Sequence, residues 1–214
     1  MLLAQDDASI GGTRSEYTMY PLSQAGNIVG TPSIENIGVG DATLAAVTVN
    51  VYDNTLTQVY TETSATNTVA EATTVDFSVT GYTPTTAGAY FVEYIATINE
   101  VDGNNANDTS SYVVLIDSVY ARDFGDATWA YAAASYTSGT SNTYEFGNVF
   151  EFGSAGDIKS VSFFPSTFGS GTAGTVMIKV YDADKTTVLN NGGAGVAYTL
   201  SANELDTWVT VPVD

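Results

Sequence analysis

From Glu100 to Asp108 the chain reads Glu-Val-Asp-Gly-Asn-Asn-Ala-Asn-Asp, which places six oxygen-bearing side chains within nine residues. Oxygen is what hard cations take: Ca²⁺ collects about six to eight oxygens from carboxylates, amides and carbonyls, and a glycine lets the backbone fold around the ion. Asp102, Asn104, Asn107 and Asp108 are therefore the candidate calcium ligands, with Gly103 as the bend and Glu100 just upstream. The same residues in a hairpin turn would instead cap their own backbone. The stretch also lacks the bidentate glutamate and flanking helices of an EF-hand loop. Metal loop and polar turn both remain open from the sequence. Asn107-Asp108-Thr109 is in addition a formal N-glycosylation triplet, of consequence only in a eukaryotic secretory host.

Aromatic side chains are the second resource, with 14 Tyr, 9 Phe and 2 Trp. Tyr and Trp present an apolar ring with a polar tip, the chemistry that suits sugars. Trp129, Tyr131 and Tyr136, close together in Ala127–Tyr136, form a candidate ligand-binding face, with structural packing as the alternative. Trp208 lies in an alternating strand, Thr207-Trp208-Val209-Thr210-Val211, and is expected to pack in the core or under a loop. Asp182 and Asp184 offer a second oxygen pair that a hairpin turn explains equally well. Paired carboxylates could also serve a glycosidase, but no spacing among the acids singles out one pair.

The remaining composition excludes more than it offers. The 214-residue chain has no Cys and no His, so it has no Ser-His-Asp or Cys-His triad, no Cys/His zinc site and no disulfide. No catalytic residue is assigned, and the chain is expected not to be an enzyme. It carries 24 Asp+Glu against 5 Lys+Arg, a formal net charge of -19. Such a surface repels nucleic acid and anionic membranes, since both are held through Lys and Arg. No run reaches the roughly 18 apolar residues of a membrane helix. Met1-Leu2-Leu3-Ala4-Gln5 reads either as the end of a secretory signal or as an ordinary frayed start.

Whatever binds must be held by strands. Apolar residues alternate in Ala46–Tyr52, Val75–Val79, Ala89–Ala96, Val161–Phe163 and Val176–Val180, with Val47, Val49 and Val51 on one face and Thr48 and Asn50 on the other. Turn formers such as Gly38-Val39-Gly40-Asp41, Pro84–Gly88 and Asn190–Gly193 separate them. Short strands at this spacing predict an all-β chain of two tandem antiparallel β-sandwiches. The long strand Ser111–Ile116 closes the first, after which the texture becomes aromatic and glycine-rich. The expected division is 1-14 as a signal remnant or flexible segment, 15-117 as an immunoglobulin-like sandwich and 118-214 as a jelly-roll-like sandwich. Val49–Asn54 with Val59-Tyr60 is echoed by Ile178–Ala183 with Val188-Leu189, each a strand, an Asp-led turn and a returning strand.

Several short pieces resemble one family. Glu16–Leu22, Asn36-Ile37-Gly38, Gly88-Ala89-Tyr90, Asn107-Asp108, Tyr120-Ala121-Arg122-Asp123, Gly147–Phe150 and Ser160–Phe163 are similar to the non-catalytic ectodomain region of large secreted surface proteins of the Bacteroidetes type, exported by the type IX system. The resemblance implies an Ig-like domain leading into a jelly roll, and a secreted or cell-surface location. This chain departs from that pattern by stopping at Val211–Asp214, soon after a strand and without a sorting domain. An incomplete second sandwich, or a strand donated by Tyr17–Ser23 to a neighbouring copy, would follow, and head-to-tail donation builds filaments. The expectation is an extracellular structural or adhesive protein whose partners are copies of itself or other surface proteins. The competing expectation is a glycan-binding accessory module of a larger hydrolase, supported by Ca²⁺.

Overall fold

The computed structural model describes residues 6–15, 17–122, 145–167 and 174–213. Among them the chain is all-β: thirteen strands, a few single 3₁₀ turns and no α-helix. It divides into two compact units, the first holding the described residues up to 122 together with Phe150–Ser154, the second holding 145–149 and 155–213.

The first unit contains β1 (Ala8–Gly12), β2 (Met19–Pro21), β3 (Pro32–Asn36), β4 (Ala42–Tyr52), β5 (Gln58–Thr63), β6 (Asn67–Val69), β7 (Thr74–Asp76), β8 (Gly88–Thr97) and β9 (Thr109–Asp117). One sheet runs β2-β9-β8-β4-β5, with β6 also paired to β4; the other runs β1-β3-β7. The alternation read from the sequence sets the packing. Val47, Val49 and Val51 of β4 are fully buried and meet Val92 and Tyr94 of β8, Val114 and Ile116 of β9, and Ile10 and Ile34 from the facing sheet in one core. Complete burial of such side chains stabilises by about 1.5–3 kcal/mol each before chain entropy is charged. Asn50 faces the other way yet is also buried; its amide donates to Glu93 at 3.0 Å and accepts from the Thr61 hydroxyl at 2.8 Å, so no polar group there goes unmet.

Two segments differ from their expected placement. Ala8–Gly12, assigned to a flexible N-terminal stretch, forms β1 against β3, with Ala8 and Ile10 in the core. Its two apolar side chains at alternate positions are too few to register as a strand without the partner that buries them. Tyr17–Ser23, read as a strand for a neighbour, includes β2, which pairs in parallel with β9 of its own chain through Met19 and Leu115, Tyr20 and Ile116, and Pro21 and Asp117. Tyr17 and Tyr20 anchor it, packing edge-on to each other at 4.9 Å, and Tyr17 stacks on Phe150 at 5.8 Å with the Arg122 guanidinium 4.9 Å over its ring.

The second unit contains β10 (Ser160–Phe163), β11 (Thr175–Ile178), β12 (Val196–Thr199) and β13 (Val209–Pro212), paired antiparallel as β10 with β13 and β11 with β12. Val209 and Val211 of β13 and Leu200 are buried, with Phe163, Val176, Ile178, Val196 and Tyr198 packed against them. The predicted echo of hairpins is present in the backbone. Leu56 N–H donates to Asp53 C=O and Lys185 N–H to Asp182 C=O, both at 2.9 Å, and Leu56 and Lys185 both take positive φ, 61° and 59°. Each is a turn closed by one left-handed residue, the connection that matches strand twist.

Candidate functional site

Three chain segments meet at one end of the first sandwich. Asp6 and Asp7 precede β1; the Ile37–Asp41 turn follows β3; and the Glu100–Asp108 loop joins β8 to β9. Asp7 C=O accepts the N–H groups of Ile37 and Gly38, both at 3.0 Å. A side chain at Gly38 would stand 2.3 Å from Asp7 N, so only glycine permits this approach. Gly103 N–H donates to Asp6 C=O at 2.7 Å and so pins the loop to the N-terminal strand.

The loop wraps around its own first aspartate. Asp102 Oδ1 accepts from Asn104 N–H at 2.8 Å, and Oδ2 accepts from Ala8 N–H at 3.0 Å. Asn107 donates from Nδ2 to Asp7 Oδ1 at 2.9 Å, while its Oδ1 is buried with no hydrogen-bond partner. Asp108 lies beside Asp102. Burial first, then the charges of Asp102 and Asp7 and a hydrogen bond to Asp102, push its carboxyl above the ordinary range. Glu100 behaves oppositely: the Thr43 hydroxyl and backbone N–H both donate to it and hold it low. Glu100, Asp102, Asn105 and Asp108 line a cleft of about 200 Å³ floored by Ala8, Ala96 and Ile98.

The four predicted ligands thus separate. Asp102 and Asp108 share the cleft; Asn107 turns to Asp7; Asn104 is exposed and contributes its backbone N–H, and Asn105 takes the place by the cleft. Sequence reasoning missed Asp7, which lies 100 residues from Asn107 along the chain. Its only signal was the Asp6-Asp7 doublet, read as the residues after a signal. Among the described residues no three acidic side chains stand together as a formed metal cluster. What the arrangement offers is two carboxylates in contact and an unmet amide oxygen, a surplus of negative oxygen that a proton or a hard cation would relieve.

Four other acids are engaged by hydroxyl and backbone donors. Asp53 accepts from Thr55 and Thr57, Asp184 from Thr186 and Thr187, Asp206 from Thr167 and Glu204 from Ser201, and each is held below its ordinary pKa by those bonds. Tyr198 also donates to Glu204, and Lys179 to Glu145. The doubt over Asp182 and Asp184 therefore resolves toward a hairpin turn for Asp184, whose two oxygens are taken by Thr186 and Thr187.

Trp129, Tyr131 and Tyr136 lie outside the described residues. Trp208 corrects its expectation: it is 59% exposed and meets Phe164 edge-on at 5.8 Å. The parity was readable. Val209 and Val211 take the buried side of β13, so Trp208 must take the other.

No family model matches the chain, and no curated protein matches it. Among solved structures it is similar to the CARDB domain of a Pyrococcus furiosus protein, crystallised in complex with di-metal ions, at 18% identity and a TM-score of 0.39, over 55% of this chain and 98% of that one. That structure concerns an archaeal protein and does not bear on the Bacteroidetes or type IX resemblance. No helix among the described residues is long and apolar enough to cross a membrane.

Proposed function

We propose that the chain is a non-catalytic structural or adhesive module of a secreted or cell-surface protein, with an acidic sandwich end that takes Ca²⁺. The observation that carries this reading is the division of labour among the acids. Asp53, Asp184 and Glu204 spend their oxygens on backbone and hydroxyl donors of their own turns, and Asp206 on the backbone and hydroxyl of Thr167, which is a scaffold's use of carboxylates. At the other end of the scale, Asn107 Oδ1 is buried without a partner and Asp108 is set against the charges of Asp102 and Asp7, and exposed Val101, Ile37 and Val39 sit on the same loops. A divalent ion there would tie the N-terminal strand to the β8–β9 loop.

Beads coated with the purified chain should attach to cells or to one another in millimolar Ca²⁺ and release in EDTA. Turnover of chromogenic esters, peptides or glycosides, with no attachment under any condition, would overturn the reading. Ca²⁺ at about ten times its Kd should stabilise the first sandwich by roughly 1.4 kcal/mol. A melting midpoint unmoved by Ca²⁺ would remove the metal while leaving the scaffold.

The polymer reading draws support from β2, a three-residue parallel edge strand anchored by its Tyr20 and by Tyr17 just before it, which another copy could supply in the same register. The chain has no cysteine, so Met19→Cys with Leu115→Cys would lock β2 in its own sheet. Filaments in electron micrographs of the reduced double variant should vanish on oxidation. Filaments that persist would rule out exchange of β2.

A further inference from the structure

The outward face of the β10–β13 pair differs from the rest of this acidic protein. Phe163 with Val209 and Val161 with Val211 point inward, so the alternate residues form a strip facing solvent: Ser160 and Pro212, Ser162 and Thr210, then Phe164 and Trp208. All six are exposed and none is charged, on a chain of formal net charge -19. Among the described residues, two charges that border the strip are already engaged. Asp206 has both oxygens taken by Thr167, and Lys159 is paired with Asp157 at 3.2 Å.

We propose that this strip binds a neutral glycan, with Trp208 as its stacking platform. The inference rests on the adhesive reading above and names the ligand class for that adhesion. Three successive rows of outward side chains, about 14 Å long at the spacing of alternate strand residues, match an extended chain of rings. The indole supplies an apolar surface for the C–H face of a sugar, and Phe164 braces it edge-on at 73°. One step along, Ser162 Oγ and Thr210 Oγ1 are hydrogen-bonded to each other at 2.8 Å. Only one proton lies between them, so the accepting hydroxyl keeps its own proton to donate outward, and both keep lone pairs. Aromatic ring beside hydroxyl pair, with no charge to desolvate, complements a polymer that is itself uncharged. Trp208 is not required by the core, because Val209 and Val211 fill the inner side of the strand.

Affinity electrophoresis of the full chain through gels containing cellulose derivative, β-1,3-glucan, xylan, mannan or starch tests this, with heparin as the charged control. At least one neutral polysaccharide should retard the chain, equally in Ca²⁺ and EDTA, and heparin should not. Trp208→Ala should weaken retardation at least tenfold, Trp208→Phe about threefold, and Thr210→Val about threefold. Near-identical melting curves for Trp208→Phe and the parent would show that the loss is one of binding. No retardation by any neutral polysaccharide would overturn the proposal, as would a Trp208→Ala variant that binds like the parent. A concentration-dependent dimer in sedimentation that Trp208→Ala abolishes would also overturn it, by showing that the strip covers a second copy. Because calcium-dependent bead attachment is measured separately, glycan binding can fail while the adhesive reading stands.

Discussion

The two sandwiches treat the same excess of carboxylates in opposite ways. In the first, a deep valine and isoleucine core holds a rigid frame, and at one end that frame presses Asp102, Asp108 and Asp7 toward each other with Asn107 Oδ1 unmet. In the second, the core among the described residues is three buried residues and a ring of half-buried ones, Asp184 and Glu204 are satisfied within their own turns, and Asp206 is satisfied by Thr167. Electrostatic conflict is tolerated where packing can support it. A marginal core requires that local polar bonds agree with it, because net stability is a small difference between large terms.

The comparison breaks most visibly at the cores. Ile34→Ala in the first sandwich should cost about 2–5 kcal/mol, the range for a fully buried isoleucine. Val211→Ala in the second removes two methyl groups at about 0.8 kcal/mol each and should cost roughly 2 kcal/mol. Urea unfolding should show two transitions with the second sandwich first; equal losses, or one shared transition, would mean that the cores are not unequal. Asp184→Ala should lower the earlier transition and leave the later one in place, since it removes the acceptor for the N–H groups of Thr186 and Thr187.

At the acidic end the sign reverses. Asp108→Asn removes a charge that opposes Asp102 and Asp7 and should raise the melting midpoint of the first sandwich by roughly 2–4 °C. The same substitution should abolish the Ca²⁺ response; a midpoint that falls instead would show that Asp108 is compensated. The smallest effect is in pH. The folded pKa of Asp108 is raised, so stability increases as pH falls from 7 through that value and levels off below the unfolded value of about 3.9. Asp53, Asp184, Glu204 and Asp206 have lowered folded pKa values, so their contribution is complete above about pH 4 to 5 and is lost as pH falls through them. Melting curves from pH 7 to 3, for the parent and Asp108→Asn, should differ in the upper part of that range and converge in the lower.

Much of this was legible residue by residue. The faces of β4 and β8, the close of β9 at Asp117, the Asp-led hairpins and the all-β class follow from alternation and turn chemistry, which act over a few neighbouring residues. The misplacements share one cause. β1 and β2 are too short to show a period, and each is stabilised by a partner strand distant in sequence. Trp208 was expected in the core or under a loop from its place in an alternating strand, although its parity with Val209 and Val211 put it outside. The Glu100–Asp108 loop was singled out from the sequence, but of its four candidate residues Asn104 and Asn107 are engaged with Asp102 and Asp7.

What the sequence determined by itself, then, was local: strand alternation, turns, a surface short of cations, and a chain without thiol or imidazole. Tertiary structure decided which distant groups share a site. Bringing Asp7 to Asp102 and Asp108 depends on β1 finding β3, and exposing Trp208 beside Phe164 depends on the register of β13 on β10. Both are long-range pairings, whose energy comes from burying one face of a strand against another. No short stretch of either strand contains that energy alone.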